Sequence, residues 1–230
     1  MQLIAEPKDR DCIGALNTMY PTEIEYREFG GRCGISVVGR PNSATSYVVC
    51  LGGEVVVTTS DPVNSFEMRR GNCSTFTGPF SVDAGDVGGS LVIITRYGYR
   101  GMSGLTMVEP RGRLTYIDGC TDTLLFGPHR LGDPCLNSLH FPKGTKQTQH
   151  LHPDIRMGVV LSGEGVAFRE GVWSQPLKEG SIFYLPEGET HSFETGDSSM
   201  TVIAYHPTSD CGPTDEDHPM KSRTYIGRGK

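Results

Sequence analysis

The chain repeats itself. Residues 47–57, YVVCLGGEVVV, resemble residues 157–167, MGVVLSGEGVA, and Gly53-Glu54 lies 110 residues before Gly163-Glu164. Residues 68–83, MRRGNCSTFTGPFSVD, resemble residues 177–193, LKEGSIFYLPEGETHSF, with Gly71 lying 109 residues before Gly180. Two features at nearly one offset mark a duplicated unit of about a hundred residues, the scale of one small domain. A join near residues 109–122 divides the chain into units 1–112 and 113–230.

Each copy is built from short β-branched runs: ISVVG, SLVIIT and LTMVE in the first, MGVVLSG, SIFYLP and MTVIAYHP in the second. Gly (30) and Pro (15) punctuate them throughout, so every run is strand-sized. No 3.6-residue periodicity is sustained, and the only weak helix candidate is near DRDCIGALNTMY, within residues 1–27. This pattern predicts an all-β sandwich, barrel or jelly roll.

Net charge is −6, and no run of Lys/Arg exceeds two, so the basic stripe of a nucleic-acid binder is missing. The apolar runs are far too short to span a membrane as helices. MQLIAEPKDRDC lacks the apolar stretch of a secretory signal, and the seven cysteines are odd in number and widely spaced. The expectation is a cytoplasmic protein with reduced thiols, bound to neither nucleic acid nor membrane. Neither Cys135 nor Cys211 shows a base partner in the sequence, so both read as structural.

All seven histidines follow residue 128. Shifted back by the repeat offset, His150, His152 and His191 fall on Arg40, Asn42 and Val82, so the first copy carries no equivalent imidazoles. Residues i and i+2 of a strand share a face, which lets His150 and His152 address one point. Imidazole suits Fe, Ni, Cu and Zn, and Mn less strongly. A third ligand must come from another strand, and His191, after the Pro186-Glu187-Gly188 turn, is the best candidate. Arg156 shares the parity of His150 and His152. Of Phe183 and Tyr184, one should face the interior, and Tyr184 is a candidate substrate contact. His140 and His206 are candidates for orienting partners behind the ligands, or ordinary polar residues at strand ends. His129 and His218 have no visible role, and Trp173 reads as a packing anchor or interface residue.

These residues carry a resemblance to the cupin superfamily. Its first motif is similar to Gly144-TKQTQ-His150-Leu-His152-PDI-Arg156-MGVVLS-Gly163, and its second to Gly180-SIFYL-Pro186-Glu-Gly188-ET-His191-SFE-Thr195. Every spacing holds. Arg156 replaces the family's Glu ligand and Thr195 replaces its Asn. The resemblance implies a double-stranded β-helix (jelly-roll) bicupin, with a degenerate N-terminal barrel and a C-terminal barrel that keeps a three-His metal site. It also implies a homodimer.

Arg neither ligates a metal nor loses its proton. A metal held by three neutral histidines beside an Arg leaves the site positive and suited to an anion, which Arg156 can grip through two parallel hydrogen bonds. Three-His relatives include dioxygenases of thiols and of a diketone. The resemblance therefore implies a dioxygenase using O₂ and a divalent transition metal, Fe(II) first and Ni(II) or Mn(II) next. Its substrate would be a small anion such as a cysteine-like thiol amino acid. The alternatives are a non-redox isomerase or lyase with a Lewis-acid metal, with Tyr184, His140 and Glu194 as weak proton-transfer candidates, and a ligand-binding bicupin without catalysis. A fourth carboxylate ligand, from Glu164 or Glu189, would undermine the three-His reading.

Overall fold

The computed structural model describes residues 2–5, 19–30, 35–60 and 62–221. Most of the helix candidate, with Cys12, lies outside the described residues. Among the described residues, seventeen strands form two antiparallel sheets. The first half contributes β2 (Thr22–Phe29), β3 (Ile35–Val38), β4 (Ala44–Thr59), β5 (Ser65–Arg69), β6 (Asn72–Thr77), β7 (Phe80–Asp83), β8 (Gly89–Tyr97) and β9 (Gly104–Met107). The second half contributes β10 (Leu114–Thr115), β11 (Thr121–Phe126), β12 (Cys135–Phe141), β13 (Arg156–Arg169), β14 (Trp173–Lys178), β15 (Ile182–Leu185), β16 (Ser192–Glu194) and β17 (Met200–His206). The N-terminal strand β1 (Gln2–Ala5) crosses over: it pairs with β15 at the edge of the second half's sheet.

The repeat seen in the sequence is a repeat of backbone construction. β4 and β13 are the long central strands, and each pairs with strands on both sides. Each carries a register shift, between Cys50 and Gly52 in one and between Val160 and Ser162 in the other. After the first shift comes Gly53 at φ 73°, after the second Gly163 at φ 77°. Gly71 donates to the Cys50 carbonyl at 3.0 Å, and Gly180 donates to the Val160 carbonyl at 2.8 Å. A jelly roll requires its long strands to bend where they pass from one sheet face to the other, and a bulge followed by a left-handed glycine supplies that bend.

Gly163 is held by space as well as by its φ. A Cβ there would sit 1.8 Å from the Ser199 carbonyl oxygen, whereas one at Gly71, φ 85°, would meet nothing within 4 Å. We expect Gly163→Ala to cost about 3 kcal/mol or more, because backbone must move, and Gly71→Ala only about 1 kcal/mol of conformational strain. Urea unfolding of the two variants side by side checks the ordering.

Three apolar clusters fill the molecule. One packs inside the first half, from Phe29 through Phe76, Phe80 and Val82 to Ile93. Val82, the counterpart of His191, is fully buried there, so the first half packs hydrocarbon where the second half holds imidazoles. A second cluster glues the halves together: Ile24, Tyr47, Val49 and Ile94 from one side meet Leu136, Met157, Ile203 and Tyr205 from the other. Arg70 reaches across the same seam to the Leu161 carbonyl at 2.8 Å and to Glu179. The third cluster, including Phe141, Phe183, Phe193 and Val202, lies within the second half. Cys50, Cys73, Cys120 and Cys135 are free and buried, Cys211 is free and exposed, and burial pushes the Cys135 thiol up to about 12.

Candidate metal centre

His150 and His191 face each other across an isolated bridge. The His150 amide donates to the His191 carbonyl at 2.9 Å, and the His191 amide returns the bond at 2.8 Å. The turn before His191 is pinned by the Gly188 amide, which donates to the His152 carbonyl at 2.9 Å, with Gly188 at φ 68°. The spacing of the second motif is therefore a structural requirement: the glycine closes the turn that brings His191 alongside His150 and His152. A loop from the join region steadies the other motif, where the Asp118 carboxylate accepts the Thr148 amide at 2.6 Å.

The three histidines offer ligand nitrogens that all lie within 4.8 Å of one another. His150 Nδ1 donates to the Thr148 carbonyl and His191 Nδ1 to the Glu189 carbonyl, both at 2.9 Å. A carbonyl only accepts, so these bonds fix the tautomer and leave Nε2 as a lone-pair donor. Burial pushes His191 down to about 4, and burial together with Arg156, His191 and His150 pushes His152 down to about 3. Both rings are neutral near pH 7, the form a metal needs. The donor set fits a divalent transition ion with positions left open. Neither acid that would have completed a fourth position is in reach among the described residues. Glu189 accepts the Trp173 indole N–H at 2.7 Å, and exposed Glu164 pairs in register with Lys178. Trp173 thus anchors the hairpin β13–β14 to the motif turn.

Beside the cluster lies a cavity of about 80 Å³. Leu139, Phe141, Phe183, Leu185, Phe193 and Val202 form its apolar wall, and Asp122, Asn137, Gln147, Arg156 and His206 interrupt it with polar groups. Arg156 opens β13 directly opposite Leu185, on the inward face, and is 7% exposed. Its Nη1 donates to the carbonyls of Ile155 at 2.9 Å and Asp154 at 3.3 Å. It forms no ion pair among the described residues. His206 also faces the cavity, its ring centroid 6.4 Å from that of His152, and burial holds it well below its ordinary value.

Two expected site residues lie elsewhere. Strand alternation turns Phe183 inward and Tyr184 outward, where Tyr184 packs against the cluster between the halves. His140 falls on the outer face of β12, between inward Leu139 and Phe141, and its Nδ1 lies 3.3 Å from the Thr201 hydroxyl. Neither lines the cavity. Sequence reading missed Asp122, Asn137 and Gln147, which do.

A jelly-roll barrel that gathers three imidazoles around one point defines a class of barrel suited to a divalent transition metal. Residues 137–205 match the family model described as Cupin domain, which puts a cupin domain in the second half of the chain. Similar solved structures bear on the fold. A cupin 2 conserved barrel domain protein from Leptotrichia buccalis is 18% identical over 83% of this chain and 85% of that one, with a TM-score of 0.62. A salicylate 1,2-dioxygenase variant from Pseudoaminobacter salicylatoxidans is 13% identical over 80% and 70%, at 0.61. A Bacillus subtilis oxalate decarboxylase, described with Mn(II) centres, is 11% identical over 84% and 70%, at 0.55. No curated protein matches. At these identities the likeness establishes the jelly-roll fold, and the site must speak for the chemistry. Among the described residues no helix is long and apolar enough to cross a membrane.

Proposed function

We propose that this protein is a metal-dependent cupin dioxygenase acting on a small anionic substrate, with residues 1–112 as a metal-free barrel and residues 113–230 as the working one. The observation that carries the reading is the joint placement of three histidines and a buried Arg156, without an ion-pair partner among the described residues, on one cavity. His150, His152 and His191 would hold the ion, Fe(II) in preference to Ni(II) or Mn(II). Bound there, the metal would supply oxygen activation.

The chain's own residues do the rest. Three neutral ligands do not cancel the charge of a divalent ion, and Arg156 adds another positive charge, so the cavity draws an anion. The Arg156 guanidinium orients a carboxylate through charge-assisted hydrogen bonds. The phenylalanine wall keeps bulk water from the bound substrate, which strengthens that contact. His206, neutral and facing His152, is placed to accept or orient a polar group of the ligand.

The experiment is oxygen uptake by Fe(II)-loaded protein against a panel of small carboxylates, with cysteine and other thiol amino acids among them. Uptake that follows substrate loss one-to-one supports a dioxygenase. Substrate turnover that proceeds equally well without oxygen would replace this reading with the Lewis-acid isomerase or lyase.

A further inference from the structure

Thr148 stands two residues before His150, and both of its main-chain groups are taken by side chains. Its carbonyl accepts His150 Nδ1 at 2.9 Å, and its amide donates to an Asp118 carboxylate oxygen at 2.6 Å. Its neighbours are held differently. The Gln147 amide donates to the Phe193 carbonyl at 3.0 Å and the His150 amide to the His191 carbonyl at 2.9 Å, so the facing chain carries those two. Among the described residues no main-chain partner reaches Thr148. A carbonyl that takes the outer nitrogen of a ligand imidazole sets the orientation of that ring, so whatever holds Thr148 bears on His150.

Asp118 lies 30 residues earlier, at the tip of the β10–β11 hairpin, in the segment that joins the two halves. Thr115 pairs with Thr121, the Tyr116 amide donates to the Cys120 carbonyl at 2.9 Å, and the Cys120 amide to the Ile117 carbonyl at 3.1 Å. These bonds close the turn around Asp118 and leave Tyr116 on the wall of the histidine cavity. Asp118 sits at φ 54° and ψ 37°, and among the described residues it is the only non-glycine with a positive φ. Such backbone is uncommon outside glycine, and Asp and Asn are among the few residues that tolerate it.

The turn does not explain the carboxylate. Glycine serves left-handed backbone at no steric cost. A turn Asp commonly caps its own turn by accepting an amide two residues on, but here the Cys120 amide goes to Ile117 instead. Asp118 is exposed, so burial imposes no partner on it. Its carboxylate nevertheless makes one hydrogen bond among the described residues, the one to Thr148, and no ion pair.

We propose that Asp118 is a positioning residue of the metal centre. It clamps Thr148, and Thr148 holds the His150 ring with Nε2 toward the point shared with His152 and His191. This rests on the reading of the three histidines as metal ligands, and it gives the segment between the halves a part in the site. The effect is mechanical. The Thr148 N–H and C=O belong to different peptide groups, so what passes from carboxylate to imidazole is orientation, not polarisation through one amide. A ring locked before the metal arrives has less freedom to lose on binding it.

The test loads the full chain with one equivalent of Co(II), whose visible absorption bands report ligand geometry, and follows transfer of the metal to excess EDTA. Asp118→Gly keeps the backbone and removes the acceptor, whereas Asp118→Asn keeps both an acceptor oxygen and the backbone. Asp118→Gly is expected to release Co(II) about tenfold faster than wild type, the lower end of what losing an orienting partner costs a metal site, and to show altered bands. Asp118→Asn should restore most of the difference. Thr148→Ala, which leaves the main-chain bond in place, should match wild type. Release from Asp118→Gly at the wild-type rate with wild-type bands, even beside a lowered melting temperature, overturns the proposal and leaves the metal reading standing. Wild-type protein that takes up neither Co(II) nor Zn(II) overturns both. Hydrogen exchange on metal-loaded wild type needs no variant: the Thr148 amide should exchange more slowly than an unbonded amide, and unprotected exchange there overturns the clamp.

Discussion

His191→Ala abolishes stoichiometric metal binding: this is the largest effect we expect from a single change in the site. Wild-type protein purified without chelator should carry about one equivalent of a transition metal, and the variant should retain almost none after gel filtration. Loss of a mere orienting partner costs a metal site about 10–100-fold in affinity, so loss of a ligand should exceed a hundredfold. The fold should survive. His191 is buried, but its main-chain bonds to His150 do not involve the side chain, and Val82 occupies the corresponding place in the first half's repeat. Elemental analysis of the two proteins, with melting curves to confirm folding, decides the matter. A wild-type protein that stays metal-free after exposure to Fe(II), Ni(II), Mn(II) and Zn(II) would end every metalloenzyme reading of this chain.

The clustering of the three histidines was legible in the sequence because each position depends on a local rule. His150 and His152 are two residues apart, and the Pro186–Gly188 turn fixes where His191 emerges. The repeat was legible for the same reason: it is carried by left-handed glycines and bulges, which leave a mark on the sequence. The polar residues Asp122 and Asn137 on the cavity wall were not legible. Asn137 shares its parity with Leu139 and Phe141, so CLNSLHF offers a polar residue within an inward row, but only the pairing of β12 with β17 says which row is inward. The same missing fact made Tyr184 a candidate. SIFYLP alternates two aromatics, and the sequence alone does not tell which of them points at the histidines. Once β15 is paired to β13 with Leu185 opposite Arg156, parity assigns Phe183 to the cavity and Tyr184 to the outer face. The strand β1 edge, contributed to the second half's sheet by the start of the chain, is a long-range pairing with no local signature at all.

Arg156→Glu should exchange one property of the site for another. Arg156 stands where the resemblance to the cupin motif places a carboxylate ligand, and its side chain faces the same cavity as the three histidines. A glutamate there adds a negative oxygen donor to three neutral nitrogens. Metal should then be held more tightly, read as slower loss to a competing chelator. The same change reverses the charge that greets an anion. Removing one partner of a buried, hydrogen-bonded charge pair costs about 2–5 kcal/mol, or roughly 30-fold to several thousandfold in affinity. Carboxylate probes should therefore lose measurable binding in Arg156→Glu. Arg156→Gln separates the two effects, since it removes the positive charge without supplying a ligand: anion binding should fall while metal retention stays near wild type. If Arg156→Glu still binds acetate as the wild type does, Arg156 is not an anchor. Its hydrogen bonds to the Asp154 and Ile155 carbonyls would then be its whole function, that of holding the strand entry in place behind the metal ligands.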